Sequence, residues 1–257
     1  MSTSIHVTPG EVVASLALVV LAAAISFWRK ADLERDIGIA TVRSFVQLTA
    51  IGYAIKLIFE ADTLWLVFAL LTVMVLFGAL TARNRAKRVP NSFWPLLIAL
   101  AVAGASTLGL VVALGVFEAT ARYLVPVGGM VIGNAMTASA VALNRLGDEM
   151  ADSRARIEAT LALGASAEEA AQPTVRRSLR SGMITLVDST KTTGLIFFPG
   201  TMVGMLLAGA EPTDAVRLQL ILLYTLLGSV SIAALVATLL AYRNFFTAAE
   251  QLREPGG

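Results

Sequence analysis

Of 257 residues, 56% are hydrophobic and only 15% are charged, with a mean hydropathy of +0.75; an ordinary soluble domain carries about 25% charged residues. Too few charges remain to cover that much apolar surface in water, so the composition excludes a soluble globular protein and reads as an integral membrane protein. A formal net charge of +2 gives no footprint for nucleic acid, the lack of cysteine excludes disulfides and thiolate sites, and a single histidine, His6, excludes a His-ligated catalytic metal or a Ser–His dyad in the membrane.

A spanning helix needs about 20 mostly apolar residues. Met1 to Glu11 carries no Lys or Arg, so it lacks the charged start of a cleavable signal peptide. Val12–Trp28 is then the first expected span. Ile37–Phe59 is the second, although it carries Arg43, Gln47 and Lys56. Thr63–Ala82 and Val89–Phe117 follow, the latter entered through Pro90, Asn91 and Pro95. Tyr123–Asn144 is the fifth. Ser181–Ala208 is the sixth, with Asp188 and Lys191 inside it and Pro199-Gly200 expected to break or kink it. Leu218–Tyr242 is the seventh.

With the N-terminus outside, seven crossings place 15 of the 20 Lys and Arg residues on the cytosolic side and only Arg122 and Arg217 outside, the other three lying within spans. That asymmetry is the positive-inside pattern. It supports the count of seven and places the C-terminus in the cytosol. The long connection, Arg145 to Arg180, is charged and reads as one or two short cytosolic helices. Gly164 is suited to end the first, and Ser166 with Glu169 three residues later forms a capping box for the second, which Pro173 is expected to interrupt or end.

The chain lacks both a phosphate-binding G-x-x-x-x-G-K-[ST] loop and a G-x-S-x-G elbow, so catalysis is not expected. What remains is polar chemistry inside the spans, where each charge near a helix centre costs about 2.5–3.5 kcal/mol on insertion scales. Counted from the cytosolic span ends, Arg43 lies roughly 9 Å deep, Asp188 roughly 10 Å and Lys191 roughly 15 Å. Arg43 and Asp188 are at matching depth, Asp188 and Lys191 share one helix face, and Gln47 lies one turn above Arg43. Asn134 adds an amide in the fifth span. These five residues are either a translocation path or gate, or a structural set of ion pairs and snorkelling side chains. Gly129/Gly133 and Gly200/Gly204 are candidate close-packing G-x-x-x-G pairs.

The run Glu158-Ala159-Thr160-Leu161-Ala162-Leu163-Gly164-Ala165 is similar to the cytosolic E-A-A loop of ABC-type permeases. That resemblance implies a helix–turn–helix that docks on an ATPase, with Glu158, Ala159, Gly164, Ala165, Glu168 and Glu169 as coupling residues. The sequence departs from the pattern at Pro173 and Arg176-Arg177. A longer resemblance joins Val131 to Ala138 with the run from Asp188 and Lys191 through Gly194, Pro199-Gly200 and Gly204 to Pro212 and Gln219. On these residues the chain, from about Val12 to Phe246, resembles the FetB/YbbM family of permease subunits. The family implies a separate ABC ATPase chain that holds the ATP, no cofactor on this chain, and iron export. Its plant relatives are linked to aluminium tolerance, with a nucleotide sugar proposed as substrate. It supplies no metal ligands to carry over.

The expectation is therefore an all-α, seven-span permease forming one domain over residues 1–257, with a cytosolic coupling loop at 145–180. It would sit in the bilayer of the bacterial inner membrane as a homodimer, bind a cytosolic ABC ATPase and export a metal, most simply iron. A self-contained secondary transporter using Asp188 and Lys191 as a proton-linked switch is the alternative. A non-transporting assembly subunit is a third.

Overall fold

The computed structural model describes residues 8–61 and 63–253; His6 lies outside them. Apart from two isolated backbone bridges, the regular structure among the described residues is all helical. These are α1 (Pro9–Arg29), α2 (Glu34–Ala61), α3 (Leu64–Arg85), α4 (Phe93–Ala113), α5 (Ala121–Asp152), α6 (Arg154–Ala162), α7 (Ala167–Thr192), α8 (Gly200–Leu207) and α9 (Pro212–Ala241), followed by a 3-10 turn at Tyr242–Phe245.

Six of the helices, α1–α5 and α9, are long and apolar enough to cross a membrane. The sixth expected span is not one helix. Its first half is the end of α7 and its second half is α8, separated by an unwound stretch from Thr193 to Pro199. The local chemistry explains the break. Ser189, Thr190, Thr192 and Thr193 each turn a hydroxyl back onto a carbonyl three or four residues earlier, which loosens the last turn. Gly194 takes φ +85°, and Pro199 can donate no backbone hydrogen bond. The chain then closes on itself through the Gly194 N–H, which donates to the Phe197 carbonyl at 2.9 Å.

Helix α5 is the hub and packs on α3, α4, α7 and α9. The α4–α9 seam is built from small residues. Ala99 and Ala103 on α4 and Ala233, Ala237 and Ala241 on α9 are fully buried in one cluster, so two backbones approach closely. Ser229 on α9 donates to the Val131 carbonyl of α5 at 3.4 Å. The glycines that matter for packing are not the ones the G-x-x-x-G spacing suggested. A Cβ on Gly128 would fall 2.4 Å from Leu71, one on Gly147 2.7 Å from Arg88, and one on Gly182 2.8 Å from Ala138 and Ala142. Gly133, Gly200 and Gly204 meet nothing within 4 Å.

Helices α1 and α2 stand apart. They pack on each other, and α2 touches α5 near its far end, where Ile58 is buried with Val67 and Leu124.

The two ends of the bundle are distinct. One end gathers the α3–α4 connection, α6, the start of α7 and the 3-10 turn, with Asn244 donating to the Pro90 carbonyl at 2.9 Å. The other end gathers Val111, Phe117 and Val127 with Leu222 and Leu226 in the first half of α9.

Candidate coupling turn and polar path

The segment between α5 and the second half of α7 is a helix–turn–helix. Helix α6 ends at Ala162, and Gly164 at φ +90° turns the chain, a conformation that a side chain with a Cβ resists. Ser166 caps α7 as the spacing predicted. Its hydroxyl accepts from the Glu169 N–H, and its own N–H donates to the Glu169 carboxylate at 2.9 Å. The backbone N–H of Ser166, and secondarily its hydroxyl, holds the Glu169 carboxyl below the usual carboxylate value. Within α6, Glu158 pairs with Arg154 at 2.8 Å, one turn earlier. Glu158, Ala159, Gly164, Glu168 and Glu169 are exposed, and Ala165 is half-buried. Leu163, at the tip, is 89% exposed.

Pro173 neither interrupts nor ends the second helix. Ala170, Ala171 and Thr174 are buried around it, and Arg156 of α6 donates to the Thr174 hydroxyl at 3.2 Å. Packing outweighs the one backbone bond that proline removes, and α7 runs on for 26 residues, about 39 Å. The second part of the charged connection and the first half of the expected sixth span are thus one continuous rod.

Near the far end of that rod Lys191 donates to Asp188 at 2.9 Å, the pairing that their spacing suggested. Both are more than half exposed, at 66% and 59%. Helices α5 and α7 run antiparallel and cross where Gly182 meets Ala138 and Ala142. Six residues beyond that crossing, Asp188 comes level with the Asn134 stretch of α5, each roughly 9 Å from it. Asn134 is exposed and donates to its own helix, to the Met130 carbonyl at 2.9 Å. Arg43 and Gln47 are exposed on α2, and neither is brought to the others: Arg43 makes no ion pair among the described residues. The matching depth of Arg43 and Asp188 does not become a contact, because α2 packs on α1 and α5 rather than against α7. Nor does any group of three or more His, Cys, Asp or Glu among the described residues form a metal-sized cluster.

One group was missed from the sequence. Glu149, near the end of α5, is buried and accepts from Arg145 one turn earlier at 2.5 Å and from Arg177 of α7 at 2.8 Å. Beside it Arg88 pairs with Asp148, and Gly147 lets the α3–α4 connection lie against α5. The four-residue spacing of Arg145 and Glu149 was visible, but the pairing with Arg177 depends on the α5–α7 crossing.

Comparison with known proteins agrees in extent with this whole-chain architecture. A model of the "Uncharacterised protein family (UPF0014)" matches residues 9–246. The UPF0014 membrane protein YjkA of Bacillus subtilis (strain 168) is 38% identical over 93% of this chain and 96% of its own length. The UPF0014 membrane protein STAR2 of Oryza sativa subsp. japonica is 37% identical, over 94% of this chain and 85% of its own. The probable iron export permease protein FetB of Escherichia coli (strain K12) is 33% identical, over 96% and 95%. No solved structure matches. A family model spanning nearly the whole chain, on a bundle of membrane-length helices, identifies this protein as a member of the UPF0014 membrane protein family.

Proposed function

We propose that the chain is the membrane-spanning subunit of an ABC transporter, works as a homodimer with a separate cytosolic ATPase, and exports iron or another metal. The observation that carries this reading is α7. One uninterrupted helix joins a capped, sharply turned tip to the Asp188–Lys191 pair, with Ala167 and Lys191 about 36 Å apart along it. A partner that moves the tip moves the pair, because a packed helix transmits displacement as a rigid element. The lack of a G-x-x-x-x-G-K-[ST] loop in the chain supports assigning the ATP, and its hydrolysis, to the partner.

In this reading the chain crosses seven times. Helix α7 starts at the end that holds the 3-10 turn and α9 starts at the opposite end, which supports counting the broken α7–α8 pair as one crossing. The N-terminus is outside, and residues 145–180 and the C-terminus face the cytosol. The membrane is the bacterial inner membrane, although the rice relative takes the family beyond bacteria.

Asp188 and Asn134, exposed at one level of the bundle, and Lys191, nearly a turn further along α7, line a path closed by the second copy. Lipid is a poor neighbour for such groups. Arg43 and Gln47 belong to the path only if α2 of one copy reaches α7 of the other. Metal is the cargo that the name of the Escherichia coli relative suggests. A single carboxylate already bound to a lysine is a weak ligand for a bare hard cation, which favours two-fold use of Asp188 across the dimer or a chelated metal.

The test is purification of the tagged chain in mild detergent, followed by reconstitution with whatever ATPase accompanies it. The expected result is a stoichiometric ATPase and ATP-dependent metal flux. Gly164→Asp should still insert but lose both. A chain that purifies alone and moves solute only with a proton gradient would overturn the proposal. It would make Asp188–Lys191 the switch of a secondary transporter, the reading favoured by their pairing within a span.

A further inference from the structure

The α6–α7 turn does not stand free. After the 3-10 turn the chain folds back on itself as a hairpin, with Phe246 bridged to Leu252 and the Thr247 N–H donating to the Gln251 carbonyl at 2.8 Å. This hairpin is fastened to both arms of the turn. Arg154, the first residue of α6, donates to the Arg253 carbonyl at 2.8 Å. The Ala167 N–H, at the first residue of α7, donates to the Glu250 carboxylate at 3.0 Å. The second bond fills one of the four N–H groups that a helix start leaves without partners, and it sets a negative charge at the positive end of the α7 dipole. Glu250 is therefore a second anchor of the lever, beside the Ser166–Glu169 cap.

Between hairpin and turn lies a cavity of about 610 Å³. Glu158, Leu161 and Gly164 line it on one side, and Ala249 and Gln251 on the other. Leu163, 89% exposed, stands next to this cavity in the charged, cytosolic part of the chain. A scattered surface leucine needs no explanation. A leucine at a glycine turn, beside a groove of mixed polarity and braced from behind, has the make-up of an interface: an apolar anchor with a polar rim.

We infer that the surface receiving the ATPase is composite, formed by the α6–α7 turn together with the Phe246–Leu252 hairpin, and that Glu250 holds the two halves in register. The inference rests on the permease reading above and adds to it a second docking element, distant in sequence from the E-A-A-like run. Its occupant is the ATPase subunit, because the groove is continuous with the coupling turn and lies on the same exposed face.

The lack of cysteine makes the test direct. Gln251→Cys, Leu163→Cys and, at the opposite end of the bundle, Glu118→Cys would each carry a short photo-crosslinker on the full chain co-expressed with the ATPase. The expected result is an ATPase adduct from Gln251→Cys and Leu163→Cys and none from Glu118→Cys. In parallel, Glu250→Lys should lower ATPase capture by about tenfold. Glu250→Gln, whose amide oxygen can still accept from Ala167, should hold capture close to the parent level. If the parent chain captures an ATPase but Gln251→Cys gives no adduct and Glu250→Lys captures normally, the composite surface is wrong and the permease reading stands. If the parent chain captures no ATPase at all, both fall. Should Glu250→Lys fail to fold, the Gln251→Cys adduct decides alone.

Discussion

Glu149 illustrates how one side chain can join two functions of the fold. It is 7% exposed and accepts from arginines on two helices, so it ties the last turns of α5 to α7. Removing its charge leaves Arg145 and Arg177 facing each other without a carboxylate between them. Both arginines are about half exposed, so water compensates part of the loss. Glu149→Gln should therefore destabilise by about 1–3 kcal/mol, the range for losing a buried, charge-assisted hydrogen bond. Thermal unfolding in detergent checks it, and no change in midpoint would mean the arginines find other partners. The Asp188–Lys191 pair differs in kind. It is exposed and makes no contribution to the core, so under the proposed seven-crossing reading it calls for water, a second copy or a cargo rather than a packing explanation.

Helix α7 is the element on which the functional reading turns. Its start is determined locally, by Ser166 and Glu169, and its end by a run of hydroxyl residues before Gly194. Its continuity through Pro173 is determined by packing against α5 and α6. The closest part of that packing is Gly182, where a Cβ would meet backbone and Cβ atoms of Ala138 and Ala142 at 2.8 Å, neither of which can swing away. Gly182→Val should cost about 1–3 kcal/mol by overpacking. It should also reduce ATP-driven flux, since the lever would be pushed off its neighbour. A variant with parent-like melting and parent-like flux would show that the crossing is looser than this geometry.

The assembled bundle leaves specific faces open. Gly133 on α5 and Gly200 and Gly204 on α8 have open space where a Cβ would go, although their spacing is that of a close helix contact. In a bilayer such a face suits another helix better than lipid, and the proposed second copy is the natural candidate. Gly133→Leu should then leave the melting of the single chain unchanged or slightly raised, because glycine is the poorer helix former by about 1 kcal/mol. It should shift the protein from dimer to monomer in detergent, as read by subunit counting. A dimer that persists would place the contact elsewhere, with α1 and α2 the next surface to probe. Those two helices pack mainly on each other, and their apolar faces are otherwise exposed.

Much of this architecture was legible in the chain itself, and the reason is the bilayer. Spanning helices must be long and apolar and satisfy their own hydrogen bonds, so hydropathy alone located the segments that became α1 to α5 and α9. The α6–α7 turn was legible for a similar reason: Gly164, Ser166 and Glu169 act through bonds no more than a few residues long. What depended on contacts between distant segments was not legible. Proline at 173 argued for a stop, and only buried neighbours carried α7 past it. Matching depth suggested that Arg43 meets Asp188, but depth is one coordinate and the helix arrangement supplies the other two. The G-x-x-x-G spacings marked faces that the single chain leaves open, while Gly128, Gly147 and Gly182, which have no such spacing, are where helices meet. Glu149 and Glu250 likewise acquire their partners from segments 28 and 83 residues away, which only the folded bundle brings within reach.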